Sequence, residues 1–346
     1  MEPIALLEGL VSIYSPTGHE AEAVQYLVGQ MAAAGMRASV DAAGNAVGEV
    51  GEGPQTIILL GHIDTVPGFI PLRREGDNLF GRGSVDAKGP LAAFVSAAVR
   101  AAGQLKGWRV LVIGAVGEES DSRGAYYVRD QYRPALTIIG EPSGWERITL
   151  GYKGSAWFEF TANRTLAHTS AKNESACEAA VGYWNRVMGW AAARNGSLER
   201  VWEQINPTLR GMQSSSDGFV ETAVLRFGVR LPLGLLVEEL VQGLDGLTED
   251  ANLHFIEGVR AYRSEKNTPL VRAFLASIRK AGGAPAFSVK TGTSDMNTVA
   301  PVWGTPILAY GPGDSNQDHT PTEHIALSEY ERAIGVLTDV LVAIAA

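Results

Sequence analysis

One cysteine, Cys177, stands in 346 residues. A lone thiol allows no internal disulfide and no thiolate metal cage, so the chain suits a reducing compartment, and Cys177 is expected to be a small buried side chain. Positive charge is scarce as well: 29 Lys and Arg stand against 38 Asp and Glu, a net charge of -9, and no basic cluster breaks the balance. Nucleic acid and anionic membrane surfaces are therefore not expected as partners. No apolar run approaches the roughly 18 residues a membrane span needs. The opening MEPIALLEGLVSIYSPTG has no basic stretch ahead of its apolar one, so no secretory leader is expected and the cytoplasm is the expected location. Internal repeats and low-complexity tracts are absent too.

What remains is a chain for folding. Apolar residues make up 45%, and 40 glycines at that hydropathy point to tight turns rather than disorder. The length exceeds that of one compact core, which predicts two domains. Helical spacing over 2–13 and 20–34 precedes short strands at 37–41 and after Ala43-Gly44-Asn45. Then TIILLGHID reads as a strand covered on both faces. Helix and strand alternate through 91–102, 109–115, 126–131 and 136–139, predicting an α/β fold whose mostly parallel sheet is covered by helices.

After Gly151 the order becomes strand, helix, strand, strand, helix, strand, the split arrangement of a ferredoxin-like α+β unit. It reads as an inserted domain over 153–262. The first domain then comprises 1–152 and 263–346, completed by helix–strand alternation from Pro269 and a final helix from Ser328.

Ligands of such sheets bind beyond the carboxyl ends of the strands, which directs attention to polar residues that follow apolar runs. In GHIDTVPG, His62 and Asp64 lie two apart and point to one side, suited either to a carboxylate-oriented imidazole or to a turn. Asp86 in GRGSVDAKGP could equally cap the next helix. A phosphate loop is excluded there, because Lys88 is followed by Gly89 and Pro90 rather than a hydroxyl residue. The adjacent Glu118 and Glu119 of GAVGEES repel one another, and without a cation one would be driven toward protonation. Glu141 in IIGEPSG is another candidate, or a cap. YGPGDSNQDHTPTEH adds His319 and His324. Together, imidazoles and carboxylates at one sheet edge with no thiolate describe a hard N/O site suited to zinc, cobalt or manganese.

In order along the chain, GHIDTVP, GRGSVDAKG, GEES, GEPS, GTSD and HTPTEH resemble the M20 metallopeptidases, which include acetylornithine deacetylase, succinyl-diaminopimelate desuccinylase and carboxypeptidase G. The resemblance implies a zinc-exopeptidase-like catalytic domain with two divalent metal ions, zinc foremost and cobalt as the alternative. His62, Asp86 and Glu141 would hold one ion. Asp86, Glu119 and His319 would hold the other, so that Asp86 bridges. Asp64 would orient His62, and Glu118 would be the general base for the attacking water. A cis peptide is implied at Asp86-Ala87. The inserted domain would form a homodimer and lend His168, from TLAHTSAKNESA, to the partner's active site as an oxyanion donor. His324 is read as structural. Arg230 and the loop around Gly292 are candidate substrate contacts.

Several stretches, among them GSVDAKGP, IIGEPSGWERITLGYKG and KTGTSDMN, are similar to one branch of the family. That branch releases lysine or ornithine from the C-terminal glutamyl side chain of a small amino-group carrier protein in lysine and arginine biosynthesis. A deacylase of a small N-acyl amino acid such as acetylornithine is the alternative. A non-catalytic binding protein is a third reading, opposed by the presence of every expected ligand and of the base.

Overall fold

The computed structural model describes residues 2–168, 170 and 172–346. The chain divides into two compact units, one of Met1–Gly151, Ser264–Val289 and Ser294–Ala346, the other of Tyr152–Arg263 and Lys290–Thr293. Among the described residues no helix is long and apolar enough to cross a membrane.

The first unit is an α/β sandwich. Strand Lys106–Ala115 is almost wholly apolar from Val110 onward, as a strand buried on both faces must be. The long strand Ala46–His62 flanks it twice. Residues 46–51 pair with 114–109 in descending register, and 55–62 then pair with 108–115 in ascending register. Gly53 makes this crossing feasible, because a Cβ there would lie 2.1 Å from backbone atoms of Gly107. The parallel series continues through Leu136–Gly140 and Ile307–Ala309. Arg147–Tyr152 then pairs antiparallel with Ile307–Ala309, a strand that the sequence reading omits.

Helix Lys88–Ala101 is buried along nearly its whole length, with Leu91, Phe94 and Val95 fully covered. Its neighbour is the C-terminal helix Leu327–Ala345, which contributes Leu337, Val340 and Leu341 to the same core. A small three-stranded sheet joins Arg73–Glu75, Asn78–Phe80 and His324–Ala326, tying the C-terminal segment to the loop ahead of Asp86.

The second unit is a four-stranded antiparallel sheet in the spatial order Asn252–Val259, Gly154–Thr165, Val220–Leu231, Asn206–Ser216. Helices Ala176–Asn195 and Val237–Asp245 pack on one face, around stacked Phe160 and Tyr183 with centroids 4.0 Å apart. This is the ferredoxin-like order anticipated from the element pattern. Helix Ala176–Asn195 begins in a full capping box, with Ser175 and Glu178 bonding each other's backbone. Cys177, expected to be buried, is exposed: it lies on the outward side of this helix, while Ala176 and Ala180 face the sheet.

Candidate metal centre

The parallel strands deliver their last residues to one edge. Gly61 is level with Gly140, so His62 and Glu141 leave adjacent strands side by side. His62 is also level with Ala115, three residues before Glu118. Asp86 precedes helix Lys88–Ala101, which starts without any side-chain cap. The carboxylate is turned instead to two imidazoles: Oδ1 is 3.1 Å from His62 Nε2 and Oδ2 is 3.1 Å from His319 Nε2. His319 Nε2 also lies 3.0 Å from Glu119 Oε1. The backbone of His319 takes the left-handed conformation, φ 62, uncommon outside glycine and frequent where a loop is bent for function. The Asp86-Ala87 peptide is cis.

Asp64 sits fully buried beneath this edge. Its Oδ2 accepts from Thr17 Oγ1 at 2.7 Å and from the Glu119 amide at 3.2 Å, while Oδ1 accepts from the Glu118 amide at 3.1 Å. The nearest acceptor for His62 Nδ1 is the Asp64 carbonyl oxygen at 3.0 Å, with the carboxylate 3.6 Å away. Asp64 thus sets the orientation of the His62 ring largely through its backbone, with Nε2 aimed at Asp86; burial opposes the charged imidazole, but Glu118, Asp64 and Asp86 hold its pKa well above the ordinary value. Its carboxylate serves mainly to hold the Glu118–Glu119 backbone. Burial opposes its ionisation, but the bonds from His62, Thr17 and Glu119 keep it below the usual carboxylate range.

Glu118 Oε2 is 3.9 Å from His62 Nε2. Burial, reinforced by Glu141, Asp295 and Glu119, pushes its carboxyl well above the usual range despite the pull of His62. Burial raises Glu119 as well. His319 is raised to about 10 by its bonds to Asp86 and Glu119. Carboxylates therefore crowd the buried His62 and the half-exposed His319, a repulsion that protons relieve in the metal-free protein and that a bound cation would relieve in their place. His62, Asp86 and Glu119 can each turn one ligand atom to within 4.8 Å of the others. These are hard N/O donors without a thiolate, the chemistry that a divalent cation such as zinc accepts.

Glu141 is buried and close enough to Glu118 to raise its pKa. His324 lies outside the cluster: its Nδ1 donates to Thr322 O at 2.8 Å, and its ring packs against Phe80 with centroids 4.7 Å apart. The other expected residues lie in the second unit. His168 is exposed, and its Nδ1 accepts from the Ser170 amide at 3.2 Å. Its sequence neighbours Thr169 and Ala171 lie outside the described residues. Arg230 Nη1 donates to Thr293 Oγ1 at 3.2 Å, next to Gly292, where a side chain would meet open space.

Two further acidic residues escaped the sequence reading. Asp295 opens helix Asp295–Trp303 within GTSD and is 2% exposed, with Oδ1 unpartnered and its carboxyl pushed to about 7 by burial and by Asp64. Glu323, four residues beyond His319, is fully buried and bonded to Arg82. The motif GTSD and the single acid of HTPTEH were the available signals.

A parallel sheet with a histidine and carboxylate cluster at its carboxyl edge defines the class, an α/β metal-dependent hydrolase. The family model described as peptidase family M20/M25/M40 matches residues 58–343. The chain belongs to that family.

Among curated relatives, the LysW-lysine hydrolase of Deinococcus radiodurans is 44% identical over 346 residues, covering 97% of this chain and 95% of its own. A putative LysW-lysine/LysW-ornithine hydrolase of Thermococcus kodakarensis is 39% identical, covering 98% and 91%. The fold is shared with an M20 metallo-carboxypeptidase of Sulfolobus solfataricus, TM-score 0.81 at 16% identity over 100% and 99% of the two chains. It is shared too with a Bacillus subtilis protein titled a dinuclear metal-binding peptidase of the M20 family, TM-score 0.73 at 12% identity, covering 99% and 97%.

Proposed function

We propose that this hydrolase releases lysine or ornithine from the C-terminal glutamyl side chain of an amino-group carrier protein. The observation that carries the substrate is the near full-length similarity to hydrolases named for LysW-lysine and LysW-ornithine. The bond is an amide on an amino acid's distal amine, within reach of the chemistry this cluster supports.

His62, Asp86 and Glu141 are proposed to hold one divalent cation, and Asp86, Glu119 and His319 a second, with zinc the expected metal and cobalt the alternative. A bound pair supplies Lewis acidity, polarising the amide carbonyl and lowering the pKa of a water toward neutrality. Glu118 takes the proton from the attacking water and passes it to the departing amine. Burial holds the Glu118 carboxyl above the usual carboxylate range, which makes it a stronger proton acceptor for that shuttle. Asp64 keeps Glu118 and Glu119 in place by gripping their amides.

The second unit is proposed to form a homodimer and to supply His168 as the donor to the oxyanion. In support, helix Ala176–Asn195 leaves Val181 at 49% and Met188 at 43% exposure, seven positions apart and therefore on one face. Arg230 and the backbone at Gly292 are proposed to contact the substrate. The lone cysteine and the acidic balance support a cytoplasmic location and speak against nucleic acid or an anionic membrane as partner.

The test is amino-acid release by the zinc- or cobalt-loaded protein, comparing carrier charged with lysine or ornithine against N-acetylornithine, with a chelator control. Chelator-sensitive release from the charged carrier is expected. Preference for N-acetylornithine would move the protein to the deacetylase branch.

A further inference from the structure

Outside the cluster, the first unit buries one complete ion pair whose bonds run to three separate segments. Arg82 Nη1 donates to Glu323 Oε2 at 2.7 Å, and the two side chains are 8% and 1% exposed. Arg82 Nε donates to Gly68 O at 3.0 Å. Glu323 Oε1 accepts from the Val85 amide at 2.9 Å and from the Asp86 amide at 3.1 Å. The Glu323 carbonyl oxygen accepts from the Gly81 amide at 3.3 Å. Gly68 follows Asp64 by four residues, and Glu323 follows His319 by four.

We propose that the Arg82–Glu323 pair is a positioning device for the metal centre, setting the backbone of Asp86 and locking together the segments that carry His62, Asp86 and His319. Glu323 is no ligand itself, since both oxygens are already engaged by a guanidinium and two amides. Nor is stability a sufficient reason for it, because a buried ion pair generally does no better than an apolar pair of the same volume. What an ion pair adds over an apolar pair is direction. One oxygen aims two consecutive amides, so the Cα of Asp86 and the reach of its carboxylate are fixed. The guanidinium carries that constraint to the loop after Asp64 through a different nitrogen. Supports of this kind outside the ligand shell typically govern metal affinity or activity by about 10- to 100-fold.

The proposal rests on Asp86 and His319 being ligands, and the experiment keeps the two ideas apart. In the full-length protein, Zn²⁺ affinity is measured by competition with a chromophoric chelator for the wild type, Glu323→Gln, Arg82→Lys and Asp86→Ala, alongside thermal unfolding of the metal-free forms and kcat and KM on the charged carrier. In Glu323→Gln the amide can still accept from Val85 and Asp86, but its nitrogen faces the Arg82 donor. The zinc dissociation constant is expected to rise about 10- to 100-fold, with a lower kcat and little change in KM. Arg82→Lys can keep the bond to Glu323 but not the one to Gly68 as well, so a smaller loss of affinity is expected, and this variant stands in if Glu323→Gln does not fold. If either folded variant unfolds at lower temperature yet binds zinc within twofold of wild type, the pair is merely structural and the proposal is overturned. Asp86→Ala that still binds both ions would overturn the ligand assignment, and the proposal with it.

Discussion

Replacing Asp64 by Asn keeps the shape of the side chain and removes its charge and one acceptor. Placed over the Oδ2 position, the Asn oxygen keeps Thr17 and the Glu119 amide, but its NH2 then meets the Glu118 amide and the Nδ1 side of His62, donor against donor. One charge-assisted bond is lost and one buried amide is left unsatisfied, together about 3 kcal/mol. At about 1 to 2 °C per kcal/mol for a chain of this size, the midpoint of the metal-free protein should fall by roughly 3 to 6 °C.

The dependence on pH has a definite sign. The Asp64 carboxyl lies below its ordinary value in the folded protein, so its contribution is present above the unfolded pKa and is lost as pH falls through the folded one. The part of the gap between wild type and Asp64→Asn that comes from the carboxyl itself should therefore begin to close only below about pH 4, while the part that comes from Asp64 raising the His62 pKa shrinks as pH rises above the ordinary histidine value. Urea unfolding of both metal-free proteins across that range is the assay. A gap under about 0.5 kcal/mol at pH 7, within the usual range of a neutral surface change, would refute the reading of Asp64 as the support of the Glu118–Glu119 backbone.

Three other outcomes are expected. Glu118→Ala should lower kcat by about 10²- to 10⁴-fold while metal content measured by plasma mass spectrometry stays that of wild type. Asp86→Ala should lose metal outright, because the Asp86 carboxylate lies between His62 and His319 and is proposed to serve both sites. His168→Ala should reduce kcat by about 10²- to 10³-fold with a modest change in KM, the pattern of a lost oxyanion donor, read by steady-state release of lysine.

The sheet edge was legible because an apolar strand must end somewhere, and His62, Glu118 and Glu141 stand just past such ends. The alternation of elements likewise announced both folds, since a parallel sheet needs a crossover helix between successive strands and a split βαββαβ order interleaves two such crossovers in one antiparallel sheet. Other features depend on partners remote in sequence. Glu323 meets Arg82 across 241 positions, and a charged residue in a polar loop carries no local mark of being fully buried. Asp295 was hidden in the same way inside a helix start. Cys177 was misjudged because small residues favour interiors on average, while its place on the helix turns it outward. The strand Arg147–Tyr152 follows a turn at Gly144 and reads ERITLGY, too brief an apolar alternation to separate from the strand that comes next.

Asp86 is proposed to be shared between two cations. Native mass spectrometry of the metal-stripped protein titrated with Zn²⁺ tests it most directly: two ions per chain are expected in the wild type, with both lost or greatly weakened in Asp86→Ala. Saturation at a single ion, or an Asp86→Ala variant that fills as readily as wild type, would contradict it.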